Sequence, residues 1–138
     1  MTAKIVFVLL LLPLLSVDGG KKSIAKFTKK HINPAMKADQ CTDVIAGRLI
    51  NNKNNCREIN TFILAEIDKV KTICQQGNGV VESDRVFNVL VCCRKGKKST
   101  PPCSYGGYET KHRIKVECKN GNPLHYDDVD QCPDEFDD

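Results

Sequence analysis

Eight cysteines, all beyond residue 40, restrict this 138-residue chain more than any other feature: Cys41, Cys56, Cys74, Cys92, Cys93, Cys103, Cys118 and Cys132. An even number of cysteines in a small chain with a secretory leader implies a disulfide framework. The leader is legible at the start. Lys4 supplies a positive charge, Ile5 to Leu15 is almost uniformly apolar, and Ser16-Val17-Asp18-Gly19-Gly20 offers small residues to signal peptidase. That apolar run is too short to span a bilayer. Residues 1–20 are therefore expected to be a signal peptide and 21–138 one domain, secreted to an extracellular, oxidising space. The chain has no CxxC pair and only three histidines, so neither a structural metal nor a cofactor is expected. With no tryptophan and few aromatics the core is modest, and bridges of ~2–4 kcal/mol each must carry much of the stability. Spacing alone does not choose among the ~105 connectivities.

Charge is divided unevenly. From Asp127 onward there are seven acids (Asp127, Asp128, Asp130, Asp134, Glu135, Asp137, Asp138) and no Lys or Arg. Residues 21–126 carry 20 Lys and Arg against 9 acids. A body this basic favours a polyanion such as RNA, heparan sulfate or an anionic envelope. Its densest patch is Arg94-Lys95-Gly96-Lys97-Lys98, in a loop; it either binds such a partner or is a solvated loop kept soluble by charge.

Periodicity places helices first and strands later, which points to an α+β domain. Ile24 to about Asn33 reads as a short helix with Phe27 and His31 on one face and Pro34 as its stop. Thr42 or Asp43 could cap a second helix over Val44, Ile45, Leu49 and Ile50, ending in the Asn51–Asn55 turn. A third is expected over Ala65–Cys74, with Ile67, Val70 and Ile73 inward. Thr61-Phe62-Ile63, Val86–Cys93, Tyr105–Glu117 folded around Gly106-Gly107, and Leu124-His125-Tyr126 read as strands.

Three segments carry chemistry: Lys26-Phe27-Thr28-Lys29-Lys30-His31-Ile32, Cys56-Arg57-Glu58-Ile59-Asn60-Thr61-Phe62-Ile63, and Pro123-Leu124-His125-Tyr126-Asp127. Together they resemble the pancreatic-type (RNase A) ribonuclease superfamily. The family's C-K-x-x-N-T-F motif is complete but for Arg57, which stands where the family has lysine. Cys74-Gln75-Gln76-Gly77-Asn78-Gly79 lacks the cysteine pair that closes a small loop in pancreatic enzymes. With Pro101-Pro102-Cys103 and Cys118-Lys119-Asn120-Gly121, this is similar to the angiogenin branch and its fish relatives. The resemblance implies three short helices packed on a bent antiparallel sheet, and the bridges Cys41–Cys93, Cys56–Cys103 and Cys74–Cys118. Cys92 and Cys132 are left over. Adjacent strand residues point to opposite faces, so by the family's fold Cys92 looks toward the pyrimidine pocket. A Cys92–Cys132 bridge, the fourth disulfide, would then pin the acidic tail beside that pocket.

The same resemblance implies cleavage of single-stranded, tRNA-like RNA 3′ to pyrimidines through a 2′,3′-cyclic phosphate, without metal, by a monomer that leaves DNA untouched. His31 would be the base, His125 the acid, and Arg57 the cation facing the charge that builds on phosphate. Arginine keeps the charge but cannot place one compact ammonium, so weakened activity is expected. Lys30, Asn60, Thr61 and Tyr126 would line the substrate, with Thr61 reading the base edge by its hydroxyl and backbone N–H. Asp127 shares a strand face with His125; it either orients the imidazole or is the first acid of a solvated tail. His112 has no family role. The rival expectation is a cationic signalling or host-defence factor, angiogenic or antibacterial, acting at a receptor, a bacterial envelope or, after uptake, the nucleus or nucleolus, with little need of catalysis.

Overall fold

The computed structural model describes residues 23–136; the leader assigned to residues 1–20 and the last two aspartates lie outside them. Helix α1 (23–31) buries Phe27 and His31, four residues apart on one face. Its last carbonyls would lack partners. Arg48 supplies them: its Nη1 donates to the carbonyls of Thr28, Lys29 and Ile32, at 3.4, 3.0 and 2.7 Å. Helix α2 (Cys41–Gly47) begins earlier than expected and ends sooner, because Leu49 turns the chain at φ 56°. Helix α3 (Ile67–Lys71) tightens into a 3₁₀ turn at Thr72–Gln76, with Val70 and Ile73 inward as the pattern required.

Among the described residues, six strands form two antiparallel three-stranded sheets. One has the order β1 (Ile59–Ile63), β3 (Phe87–Arg94), β4 (Tyr105–His112); the other has β2 (Gly79–Glu82), β5 (Lys115–Lys119), β6 (Asn122–Tyr126). The first sheet separates two apolar clusters. Val89, Val91 and Cys93 join Phe27 and Ile63 on one side, while Leu90 and Cys92 join Phe62, Cys41 and Ile45 on the other. Among the described residues no helix is long and apolar enough to cross a membrane.

This alternation corrects two of the expected bridges. Cys92 faces α2 and pairs with Cys41, whereas Cys93 faces the opposite cluster and pairs with Cys132. The expected Cys41–Cys93 and Cys92–Cys132 pairings required the reverse parity on β3. Cys56–Cys103 and Cys74–Cys118 form as expected, and no cysteine is free. The tail is still tied beside Thr61, because Thr61 lies opposite Val91 and Ile59 opposite Cys93.

Gly106 and Gly107 do not make the expected hairpin. Both lie inside β4, opposite Cys93 and Cys92, and the chain reverses after His112. They are glycines because both faces are occupied. A Cβ at Gly107 would sit 2.7 Å from Cys41 Sγ and 2.9 Å from the Ala38 carbonyl, and one at Gly106 would sit 2.5 Å from the Phe136 ring.

Gly107→Ala should therefore destabilise the fold by ~1–3 kcal/mol, since a sulfur in a bridge and a backbone oxygen cannot step aside. Gly47→Ala, where nothing lies within 4 Å, should instead stabilise by ~0.5–1 kcal/mol through helix propensity. Thermal melts of both variants check the pair; a stabilised Gly107→Ala would contradict the packing.

Candidate active site

His31 ends α1 and lies against β1, held there by backbone as well as packing. The Asn33 amide donates to the Ile63 carbonyl, and the Asn60 side-chain amide donates to the Lys30 carbonyl at 2.9 Å. His31 Nδ1 lies 2.8 Å from the Thr61 carbonyl. A carbonyl only accepts, so Nδ1 carries the proton and the neutral ring presents the Nε2 lone pair. The ring stacks on Tyr126 at 5.2 Å between centroids and meets Phe27 at 5.3 Å.

Burial is the chief reason that the His31 pKa falls to about 4; the Thr61 carbonyl and Asp128 oppose the fall, and Arg57 and Lys30 reinforce it. Lys30 is also lowered, first by burial and then by Arg57, Lys26 and Lys29. Two cations, Arg57 and Lys30, thus act on one buried neutral imidazole, an arrangement suited to a phosphate diester, and Lys26 and Lys29 act in turn on Lys30. Sequence reasoning named both Lys30 and Arg57. The Arg57 backbone is fixed at both ends, its amide by Asn51 Oδ1 and its carbonyl by the Tyr105 hydroxyl. The Asn60 Oδ1 atom is buried without a hydrogen-bond partner.

His125 projects from β6 with its side chain 72% exposed. Its acidic neighbour is Glu117, directly across β5, at 3.6 Å from Nδ1. Asp127 is exposed, and only its backbone amide is engaged, by the Lys115 carbonyl. The acid beside His125 is thus a cross-strand partner that spacing along one strand could not reveal. Tyr126 is mostly buried, and its hydroxyl pKa is raised by burial, then by Asp128 and Asp127.

The aspartate that reaches the site is Asp128, which sequence reasoning treated as tail. Its Oδ2 accepts the Thr61 amide at 3.0 Å, and its Oδ1 accepts both the Thr61 hydroxyl and the Val129 amide. Every group on Thr61 that could read a base edge is already engaged. The tail then continues to Cys132, and the Phe136 carbonyl accepts the Gly96 amide while its ring covers Gly106. Within the basic patch Arg94 is half-buried and donates to the Cys56 carbonyl, while Lys95, Lys97 and Lys98 are exposed. His112 contacts the Arg113 carbonyl and stays apart from the site.

An α1 histidine bound to an Asn-Thr-Phe strand, a second histidine on β6 and this bridged two-sheet frame define a ribonuclease of the α+β, disulfide-stapled class. The chain belongs to the pancreatic ribonuclease family, whose model matches residues 22–136. Angiogenin of Saguinus oedipus is 33% identical over 111 residues, covering 75% of each chain. Ribonuclease-like 3 of Danio rerio is 30% identical over 136 residues, covering 88% of this chain and 91% of the relative. Among solved structures, zebrafish RNase5 superposes with a TM-score of 0.75 at 29% identity, covering 81% of this chain and 98% of its own. Green turtle egg white ribonuclease gives 0.70 at 27%, covering 78% and 98%.

A proton resonance of the His31 ring should titrate near pH 4. The unfolded ring titrates near 6.5, so the fold keeps its full stability above that pH and loses it progressively as pH falls toward 4. Asp128→Asn removes an anion that favours the imidazolium and should move the midpoint lower still. A midpoint at or above 6.5, or a rise in the variant, would contradict the burial and charge balance described.

Proposed function

We propose that this ribonuclease cleaves single-stranded RNA on the 3′ side of pyrimidines by acid–base catalysis. His31 Nε2 takes the proton from the ribose 2′-OH, and His125 protonates the departing 5′-oxygen, leaving a 2′,3′-cyclic phosphate. The observation that carries this reading is the state of His31: buried, neutral, anchored through Nδ1 and flanked by Lys30 and Arg57. Those cations draw in the phosphate, and Arg57 opposes charge building on its non-bridging oxygens. Glu117, facing His125 Nδ1, engages the Nδ1 proton, so the proton that the charged ring gives to the leaving oxygen comes from Nε2. Both imidazoles work without a metal, and a substrate lacking the 2′-OH cannot react. Thr61 selects pyrimidines once Asp128 has moved away; while Asp128 stays, turnover is slow. The leader and the bridges support secretion.

A second reading is favoured by the same occupied Thr61 and by the exposed Lys95, Lys97 and Lys98. In it the protein is a cationic angiogenic or antibacterial factor that binds heparan-type glycans or bacterial envelopes and has little use for turnover.

Alanine at His31 or at His125 should lower cleavage of uridylyl-3′,5′-adenosine by ~10²–10⁴-fold, with EDTA leaving the parent rate unchanged. Arg57→Lys should raise kcat/KM about tenfold, or ~1.4 kcal/mol of barrier, if a compact ammonium fits the transition state better. Steady-state kinetics on the dinucleotide check both. Full activity without either histidine would overturn the mechanism, and angiogenic or bactericidal potency that survives His31→Ala would favour the second reading.

A further inference from the structure

We infer that the Cys93–Cys132 bridge is a redox-operated latch: it holds Asp128 in the base subsite, and its reduction opens that subsite to a pyrimidine nucleotide. The inference rests on the reading of Thr61 as the base-recognition residue. Four observations place the latch. Asp128 accepts hydrogen bonds from the Thr61 amide, the Thr61 hydroxyl and the Val129 amide. The segment that presents it is tied at both ends, by the Asp127 amide to the Lys115 carbonyl and by Cys132 to Cys93. Cys93 lies on the Thr61 face of β3, one same-face position along the sheet. Beyond the bridge the chain has one further anchor, the Phe136 turn seated on Gly96, Gly106 and Tyr108.

Tethering at both ends makes Asp128 an intramolecular competitor. Its local concentration at Thr61 is set by a short closed loop, in the millimolar range or above. An incoming uracil or cytosine must displace a carboxylate that returns as fast as the loop closes. Cutting the tether at Cys132 leaves the Phe136 turn as the remaining anchor beyond Asp128, so that turn and the two Thr61–Asp128 hydrogen bonds must then offset the ordering of the whole tail. Asp130, Asp134 and Glu135 leave with it. They add negative charge to the segment that carries Asp128, so departure also lessens a repulsion toward phosphates that salt would screen.

This bridge is also the one most easily opened without unfolding. Cys41, Cys92, Cys74 and Cys118 are buried, and their bridges join elements of the core. Cys132 is partly exposed and follows the last strand. The other partly exposed sulfur, Cys103, lies in a loop held by β3 and β4 at its two ends, so opening Cys56–Cys103 releases less chain. The chemistry is thiol–disulfide exchange with a cellular dithiol. One thiolate attacks Cys132 Sγ, the Cys93–Cys132 bond breaks, and Cys93 leaves as a thiolate that takes a proton. The second thiol of the reductant then attacks the mixed disulfide and releases Cys132 as a thiol. Two electrons and two protons pass from the dithiol to the pair, and the reductant ends as its own disulfide. A protein closed in oxidising surroundings would thus open where dithiols prevail.

Binding of 3′-uridine monophosphate by calorimetry tests the latch without relying on turnover. The full mature protein, Asp128→Ala and the double variant Cys93→Ser/Cys132→Ser are compared, with wild type also measured in a graded dithiol buffer. The latch predicts roughly tenfold tighter binding by the double variant than by oxidised wild type, approaching that of Asp128→Ala. Wild type should reach the same affinity as reductant rises, with alkylation mapping only to Cys93 and Cys132, and the double variant should not respond to reductant. Gly106→Val, which unseats Phe136 but leaves every bridge intact, should tighten binding less than the double variant does. Tight binding by Asp128→Ala but wild-type affinity in the double variant would overturn the latch while leaving the pyrimidine subsite in place. Weak binding by both would remove the subsite reading and the latch with it. First opening of Cys56–Cys103 or Cys74–Cys118 would overturn the selectivity on which redox operation depends.

Discussion

Strand β3 runs through the centre of the first sheet, and its side chains must alternate between two faces. Two cysteines stand next to each other on it, so one bridge has to run to each side. Cys92 joins the opening residue of α2, which closes the cluster of Phe62, Ile45 and Leu90. Cys93 joins Cys132 and brings the chain's last segment across the face that carries Thr61. The glycines opposite them follow from the same constraint, Gly107 making room for Cys41 and Gly106 for Phe136. Placement of the tail, and through it the state of the site, descends from this one parity.

The site itself depends on a helix that no bridge touches. Residues 23–31 contain no cysteine, so His31 is located by weaker means: burial of Phe27, the Asn60 and Asn33 hydrogen bonds, and Arg48 capping the helix while lying 5.7 Å from the centre of the Phe62 ring. Each such interaction contributes on the order of 1 kcal/mol, and together they fix one imidazole. Removing His31 from water keeps it neutral, which is the form a general base needs, and the cost is offset by the Thr61 carbonyl and the packed aromatic rings.

Much of this was legible in the sequence, for identifiable reasons. His31, Asn60, Thr61 and His125 sit in short motifs that resemble those of the family, and the helices follow apolar spacing that the core obeys at Val70 and Ile73. What escaped depends on contacts between distant segments. Glu117 meets His125 only because β5 and β6 pair in that register. Asp128, rather than Asp127, reaches Thr61 because adjacent residues leaving a strand diverge, and no local pattern says which of two neighbouring acids turns inward. The Cys92 and Cys93 assignments were inverted for a related reason: spacing identifies a strand, but its facing is set by partners. Strand β2 escaped too, since Gly79–Glu82 is short and exposed and is held by pairing with β5.

Asp128 occupies the groups of Thr61 that are proposed to read the base. The most direct measurement is kcat/KM for uridylyl-3′,5′-adenosine with wild type, Asp128→Ala and the same variant carrying His31→Ala. Freed of Asp128, the enzyme should cleave roughly tenfold faster, chiefly through a lower KM, and His31→Ala should erase the gain. Equal kcat/KM for wild type and Asp128→Ala would contradict it, because Thr61 would then be open, or unused, in the enzyme as it stands.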